Sequence, residues 1–407
     1  MSLPPGTHVI HDAIALPAPH DTVRARAVHR AEYPVVQADS VEEAVKHLRT
    51  VISDQRIALV TDGTVAALHG RELRHELHRQ GVEATMTSIA PGEESKTMRT
   101  AERLLDWLAD SRIRRRDLLV AFGGGVVIDT AGWVASVYMR GMPYVNLPTT
   151  LLAAVDAALG GKVAVDHPQA KNLIGAFHQP TAVVAATPWL STLPARHVRA
   201  GLAEAVKKGV IASPALFDLI ERDLPKILAL DPATLHRLVH ASATVKCALI
   251  DRDPYEEDLR RPLNFGHTIG HAVETVTGYG PVLHGEAVAF GMACAARISL
   301  ARGWMTGTAH TRLLSVLRQA GLPCRREELP APTGTEAVLA ALDKIRLIRD
   351  GHLRFVLPVD IGVTAITDDV TDDEIRRALT WSPSPHSTQA DTATIPARRG
   401  GETTAAA

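Results

Sequence analysis

The sequence predicts an α/β protein in two parts: an N-terminal parallel-sheet domain and a C-terminal all-helical domain. Three observations carry this prediction. Short apolar runs alternate with amphipathic stretches as far as about residue 187. A triple glycine, Gly123, Gly124 and Gly125, directly follows one of those runs. After about Pro188 the apolar period turns helical, and strand signals nearly vanish until "LRFVLP" near Phe355. Apolar strands alternating with helices indicate a parallel sheet covered on both faces. Long periodic stretches after them indicate a helical bundle.

The elements follow in chain order. Residues 1–30 are rich in His, Pro and Ala without a period and read as an irregular arm. The sheet domain spans 31–187. Val41, Ala44, Val45, Leu48, Val51 and Ile52 form the apolar face of its first helix. "RIALVTDG" reads as a buried strand ending in a turn, "ATMTSIA" as a second strand, and "DLLVAF" as a third. Thr97 to Leu108 is an amphipathic helix between them, and "YVNLPTT" and "AVVAAT" are further strands. The helical domain spans 188–381 and includes "VRAGLAEAVKKGVI", "LHRLVHASATVKCALI" and "TIGHAVETV". The tail over 382–407 has hardly an apolar residue and is expected to be disordered.

Composition excludes several classes. The chain has 407 residues, 46% of them hydrophobic, enough for two ordinary domains. A formal net charge of -1 argues against a general nucleic-acid binder. There is no bilayer-spanning apolar run and no signal-peptide pattern, so a cytoplasmic protein without a membrane partner is expected. Cys247, Cys294 and Cys324 are isolated and odd in number, which suits a reducing compartment and offers no zinc-type pair.

The glycine loop opens "GGGVVIDTAG". Glycines let the backbone approach a pyrophosphate, and a helix N-terminus offers free N–H groups. The pattern is not GxGxxG, and an ordinary tight turn would also account for it. Asp129 lies four residues after the last glycine. "TDGT", with Asp62, ends the preceding apolar strand, where open α/β sheets bind ligands. "GEESK" offers Glu93 and Lys96 for ribose hydroxyls.

A second cluster lies in "VDAALGGKVAVDHPQAKNLIGAFHQP". Asp156, Lys162, Lys171 and Asn172 sit there among glycines and apolar residues. Lysines in such a setting suit a phosphate monoester or a carboxylate. The third cluster is richer in metal-ligand types. "NFGHTIGHAVE" places His267 and His271 four apart on one helical face, "LHGEAV" adds His284, and "GLAEAVKKG" puts Glu204 and Lys207 three apart. A carboxylate and two histidines form a common catalytic zinc set with open positions. HxxxH alone is weak, and a missing HExxH glutamate argues against a metalloprotease helix.

In this order the motifs "GGGVVIDTAG", "YMRG", "PTTLLAAVDAALGGKVAV", "KNLIGAF", "GLAEAVKKG", "LNFGHTIGHAVE" and "LHGEAV" resemble the sugar phosphate cyclases, and 3-dehydroquinate synthases most closely. The resemblance covers roughly Glu43 to Val363. It implies an N-terminal dinucleotide-binding domain, a C-terminal metal-binding domain and a homodimeric lyase using NAD and Zn2+ or Co2+. Transient oxidation, phosphate elimination, reduction, ring opening and an intramolecular aldol would turn a heptulosonate 7-phosphate into a carbocycle. It also implies roles for individual residues. Glu204, His267 and His284 would be metal ligands. Asp62, Glu93, Lys96, Gly123, Gly124, Gly125, Asp129, Thr149, Thr150, Lys162, Lys171 and Thr192 would hold NAD. Asp156, Lys162, Lys207, Asn264 and His271 would be catalytic. Arg140, Lys171, Asn172, Lys246, Arg260 and Arg346 would bind substrate, with Arg140 reaching the neighbouring subunit's phosphate. Lys246 and Arg260 would grip the substrate carboxylate, and Arg346 would stand for a late phosphate-contacting lysine. An amino-dehydroquinate synthase, a valiolone-type cyclase of sedoheptulose 7-phosphate, and a metal-dependent polyol dehydrogenase are the alternatives.

Overall fold

A computed structural model of the protein describes residues 31–52, 55–168, 170–255, 261–348 and 352–382. The arm over 1–30, the tail beyond 382 and Arg260 lie outside the described residues.

Among the described residues, six parallel strands form the central sheet. They are β1 (Val35–Ala38), β2 (Ile57–Asp62), β3 (Ala84–Ile89), β4 (Leu118–Gly123), β5 (Tyr144–Pro148) and, after a hairpin, β8 (Ala182–Ala186). Their order is β1-β8-β5-β4-β2-β3. Of the four inner strands, β4, β5 and β8 are buried at every position and β2 at all but its last, and these are near-continuous apolar runs. Edge strand β1 is only four residues long and half-buried, too weak a pattern to read from "VVQA". Helices α1 (Val41–Thr50), α2 (Gly63–Arg79), α3 (Met98–Asp110) and α4 (Gly125–Val137) cover the sheet. Ser40 and Thr97 cap α1 and α3 through side-chain oxygens that accept from Glu43 N and Thr100 N. Connection β2–α2–β3 runs outward, and β4 returns on the other side of β2. The order therefore reverses between β2 and β4, and the glycine loop stands at this switch point.

Two features depart from plain alternation. After β5 the chain makes one π-helical turn, Ala153–Ala157, which carries Asp156. It then forms an antiparallel hairpin, β6 (Lys162–His167) and β7 (Ala170–Phe177), packed on α4. The charged residues of this segment hide the strand pattern in the sequence. Gly132 of α4 makes the contact close, since a Cβ there would lie 2.4 Å from Val163 Cγ1.

The second half contains α5 (Thr187–Leu190), α6 (Ala195–Ala212), α7 (Pro214–Leu228), α8 (Pro232–Arg252), α9 (His267–Thr277), α10 (His284–Ala301), α11 (Gly307–Gln319), α12 (Thr335–Ile348) and α13 (Asp372–Leu379). It is not purely helical: β9 (Phe355–Asp360) and β10 (Val363–Thr367) form an antiparallel hairpin against α10 and α6, where "LRFVLP" is the strand signal. Helix α10 is buried almost all round and forms the centre of the bundle. It crosses α9 backbone to backbone. A Cβ on Gly291 would stand 1.9 Å from Gly266 O, so only glycine fits. Helix α8 belongs to both cores: Ala243 and Ile250 pack in the sheet cluster, Leu235, Leu238 and Leu249 in the helical one.

Candidate active site

The glycine loop closes β4 and opens α4, with Gly124 as its N-cap. Two of its glycines are also closely packed against neighbouring side chains. A Cβ on Gly123 would meet Val127 at 2.6 Å, and one on Gly124 would meet Thr150 Cγ2 at 3.0 Å. Thr149 N donates to Gly123 O at 2.9 Å, so "PTT" lies directly beside the loop. Thr149 Oγ1 is buried and has no hydrogen-bond partner among the described residues. Asp129 in α4 pairs with Lys96 Nζ at 2.6 Å, and the same ammonium donates to Asn172 Oδ1. Burial pushes the Asp129 carboxyl up, against the pull of Lys96. Asn172 adopts a left-handed φ of 56° on the β6–β7 hairpin. Its backbone N–H donates to Asp166. Lys171, next to it, pairs with Glu93 at 2.9 Å. Lys162 begins β6 at an exposed position.

Other expected dinucleotide residues have visible structural work. Asp62 is the N-cap of α2, and its Oδ1 accepts from Thr64 N and Val65 N at 2.8 and 2.9 Å. Exposed Thr192 is hydrogen-bonded through Oγ1 to buried His69 at 2.9 Å.

The metal-ligand types converge from three helices. Glu204 (α6), His267 (first residue of α9) and His284 (first residue of α10) bring ligand atoms within 4.8 Å of one another. His267 Nε2 lies 3.6 Å and His284 Nε2 3.5 Å from Glu204 Oε1. Ligands about 2.1 Å from a tetrahedral ion stand about 3.4 Å apart, so the spacing suits a shared cation. The Glu204 carboxylate is fully buried. Among the described residues neither of its oxygens accepts a well-formed hydrogen bond, although Lys207 Nζ is in ion-pair contact. A buried charge with unused lone pairs is costly without a cation to face. Burial disfavours ionised Glu204, yet Lys207 and the imidazoles hold its carboxyl well below the usual range. Burial, with Lys207 beside it, pushes His267 well down, leaving a neutral imidazole fit for ligation. His284 is different. Burial works against its charge, but Glu274 and Glu204 outweigh it and raise it to about 10. A proton there compensates the two carboxylates and competes with a cation for Nε2.

Next to this set stands a buried lysine–aspartate cluster. Lys208 Nζ donates to Asp156 Oδ1 at 2.7 Å, while Lys246 Nζ meets Oδ2 at 3.1 Å and the Asp156 carbonyl at 2.7 Å. Burial opposes the Asp156 charge, and Lys208, Lys246 and Lys207 overcome it to hold the carboxyl well below its usual range. Asn264 ends the turn before α9, and His271 lies exposed one helical turn beyond His267, rings 5.2 Å apart. Thus Asp156, Lys207, Lys246, Glu204, His267, His271 and His284 come together around one corner. Arg346 does not join them through any contact described. Its guanidinium is taken by Asp343 and Asp372, at 2.7 and 3.0 Å, where α12 meets α13. Arg140 is exposed in the "YMRG" turn with φ 66°, after Met139 at φ 49°.

Sequence reasoning passes over two members. Lys208 is fully buried beside Lys207. Glu274, 2% exposed, sits one turn beyond His271 and faces His284 Nδ1. The i, i+4, i+7 spacing of His267, His271 and Glu274 is the available signal for the latter.

A parallel sheet with a glycine loop at its switch point, beside a helical corner of one carboxylate and paired histidines, defines a nucleotide-and-metal class of enzyme architecture. Residues 86–200 match the 3-dehydroquinate synthase N-terminal family and residues 201–344 its C-terminal family. A 2-epi-valiolone synthase of Actinosynnema mirum is 53% identical over 375 residues, 92% of this chain and 98% of the relative. A 3-dehydroquinate synthase of Desulforamulus reducens is 39% identical over 351 residues, 85% of this chain and 96% of the relative. A 2-epi-5-epi-valiolone synthase of Streptomyces hygroscopicus, solved with NAD+ and Zn2+ bound, superposes with a TM-score of 0.81. It is 32% identical and covers 88% of this chain and 98% of its own. The chain belongs to the 3-dehydroquinate synthase family and is a sugar phosphate cyclase by relationship. No helix among the described residues is long and apolar enough to cross a membrane.

Proposed function

We propose that this chain closes a seven-carbon keto-sugar 7-phosphate into a carbocycle with release of phosphate, using NAD and a divalent metal, Zn2+ or Co2+. The observation that carries this reading is the union of a metal-ready set with a buried cluster of three lysines and Asp156. A polyol dehydrogenase has no use for such an accumulation of cations, whereas an enzyme handling a phosphorylated anion does. NAD supplies a reversible hydride acceptor, and the metal draws electron density from substrate oxygens.

The chain's own residues bind and orient. Glu204, His267 and His284 hold the metal. Asp62, Glu93, Lys96, the three loop glycines, Asp129, Thr149, Thr150 and Thr192 hold the dinucleotide at the carboxyl ends of the strands. Lys162 and Lys171 serve both this face and the substrate. Asp156, Lys207, Asn264 and His271 line the substrate, and Asn172 and Lys246 fix its polar groups. Arg140 serves the phosphate site of the neighbouring subunit in a homodimer. Arg346, already taken by two carboxylates, is the weakest of the expected contacts.

The 53% identity to a 2-epi-valiolone synthase, against 39% to the 3-dehydroquinate synthase above, favours sedoheptulose 7-phosphate. Lys246 favours a second reading, a heptulosonate 7-phosphate, because a buried ammonium at this corner suits a substrate carboxylate. The test is phosphate release from sedoheptulose 7-phosphate, 3-deoxy-arabino-heptulosonate 7-phosphate and its amino analogue, with absorbance of NADH followed in parallel. Phosphate without net NADH is expected, fastest from sedoheptulose 7-phosphate. Chelation should abolish it, and zinc or cobalt should restore it. Stoichiometric NADH points to a polyol dehydrogenase, and full activity after metal removal rejects the metal set.

A further inference from the structure

Glu274 is a buried acid that the roles above leave unused. Both its carboxylate oxygens lie 3.3 Å from His284 Nδ1. The other ring nitrogen of His284, Nε2, faces Glu204 Oε1 at 3.5 Å. An imidazole that donates through Nδ1 to a carboxylate presents the Nε2 lone pair to an ion, with its ring plane fixed. Glu274 is held in turn. Lys171 Nζ reaches its Oε1 at 3.3 Å and Glu93 Oε1 at 2.9 Å. A continuous polar line therefore runs from the Glu93–Ser95 turn, through the β7 lysine and the α9 glutamate, to a candidate ligand on α10.

We propose that Glu274 is a positioning residue for the metal site, setting the tautomer and orientation of His284 and anchored itself by Lys171. The proposal rests on the metal-ligand reading of Glu204, His267 and His284. Two rival roles are compatible with the same contacts. Glu274 could serve only to neutralise Lys171, a purely structural pairing. It could also be a ligand, since His271, Glu274 and His284 gather within 4.8 Å as well. Each gives a different experimental result.

The experiment titrates zinc into the metal-free full-length protein against a chromogenic chelator, and records the visible spectrum of the cobalt form. Wild type, Glu274→Gln, Glu274→Asp and Glu204→Gln are compared, with circular dichroism to establish folding. Glu274→Gln is expected to bind zinc about 10- to 100-fold more weakly, the usual effect of losing such a partner. Its cobalt spectrum should shift as the imidazole rotates. Glu274→Asp, which keeps the charge but shortens the arm, should fall between, and it carries the test if Glu274→Gln does not fold. One zinc per wild-type chain is expected. Folded Glu274→Gln with wild-type zinc affinity and cobalt spectrum would overturn the proposal, as would two zinc ions per chain. Unchanged zinc affinity in Glu204→Gln overturns it differently, because the metal-ligand reading itself then fails.

Discussion

Alanine at Gly285 tests how the candidate ligands are brought together. Gly285 follows His284 in the first turn of α10 and lies against the backbone of α6. A Cβ there would stand 2.0 Å from the Ala200 carbonyl oxygen and 2.5 Å from Ala200 Cα. An ordinary carbon–oxygen contact needs about 3.3 Å, so α10 must retreat by roughly 1 Å. Neither partner is a side chain that could rotate away. Overpacking of this kind costs about 1–3 kcal/mol. The same retreat carries His284 with it and widens its 3.5 Å separation from Glu204. Ligands sharing one tetrahedral ion stand about 3.4 Å apart, leaving little slack. Gly285→Ala should therefore lower the thermal midpoint by a few degrees and weaken zinc at least about tenfold, by the scale of disturbed ligand support. The control is Gly307→Ala, where an added Cβ meets nothing within 4 Å. Differential scanning calorimetry and the chelator competition measure both effects. A Gly285→Ala protein with wild-type midpoint and zinc affinity would refute the claim that this backbone contact sets the ligand spacing.

Two further outcomes follow from charged pairs. Arg302 forks onto Glu374 at 2.6 and 2.8 Å and, chiefly through these bonds, holds its carboxyl down at about 2. A lowered folded-state value stabilises the protein above about pH 4.3, the ordinary carboxyl value, and that contribution fades as pH falls toward 2. In urea unfolding, Arg302→Met should be less stable than wild type by a constant amount near neutrality, and the gap should close over that acid window. A gap independent of pH would dismiss the pairing as its source. Lys208→Met removes the 2.7 Å bond to Asp156 inside the protein and should cost about 3–5 kcal/mol, as breaking buried pairs does. A loss under about 1 kcal/mol would mean that Lys246 alone secures Asp156.

What is legible in the sequence follows from what each residue must do alone. The inner strands β4, β5 and β8 are buried on both faces, so their apolar runs declare themselves without context. The β6–β7 hairpin does not, because its polar residues answer to partners elsewhere. Asn172 and Lys171 reach Lys96 and Glu93, far away in the chain. The candidate ligands stand out through local spacing on helices. Glu274 has the same spacing, but its contact with Lys171, 103 residues earlier, is a tertiary fact. Lys208 is hidden by its neighbour: adjacent lysines on a helix usually suggest a solvated face, and here both are buried. Asp62 is ambiguous by residue type. An aspartate at a strand end can face a ligand, but just before a helix it is also an N-cap, and capping is the contact observed.

Helix α8 has a consequence for how the molecule can be taken apart. Its 21 residues extend about 31 Å at 1.5 Å each. Along that length it places Ala243 and Ile250 in one core and Leu235, Leu238 and Leu249 in the other, with His236 joined to Asp39 at 2.8 Å. A strut shared in this way loses its footing when either core melts, so unfolding of one half is transmitted to its companion. The halves are not interchangeable modules. A chimaera that joins the sheet of one relative to the bundle of another must take the sheet-facing side of α8 from the sheet donor and its opposite side from the bundle donor.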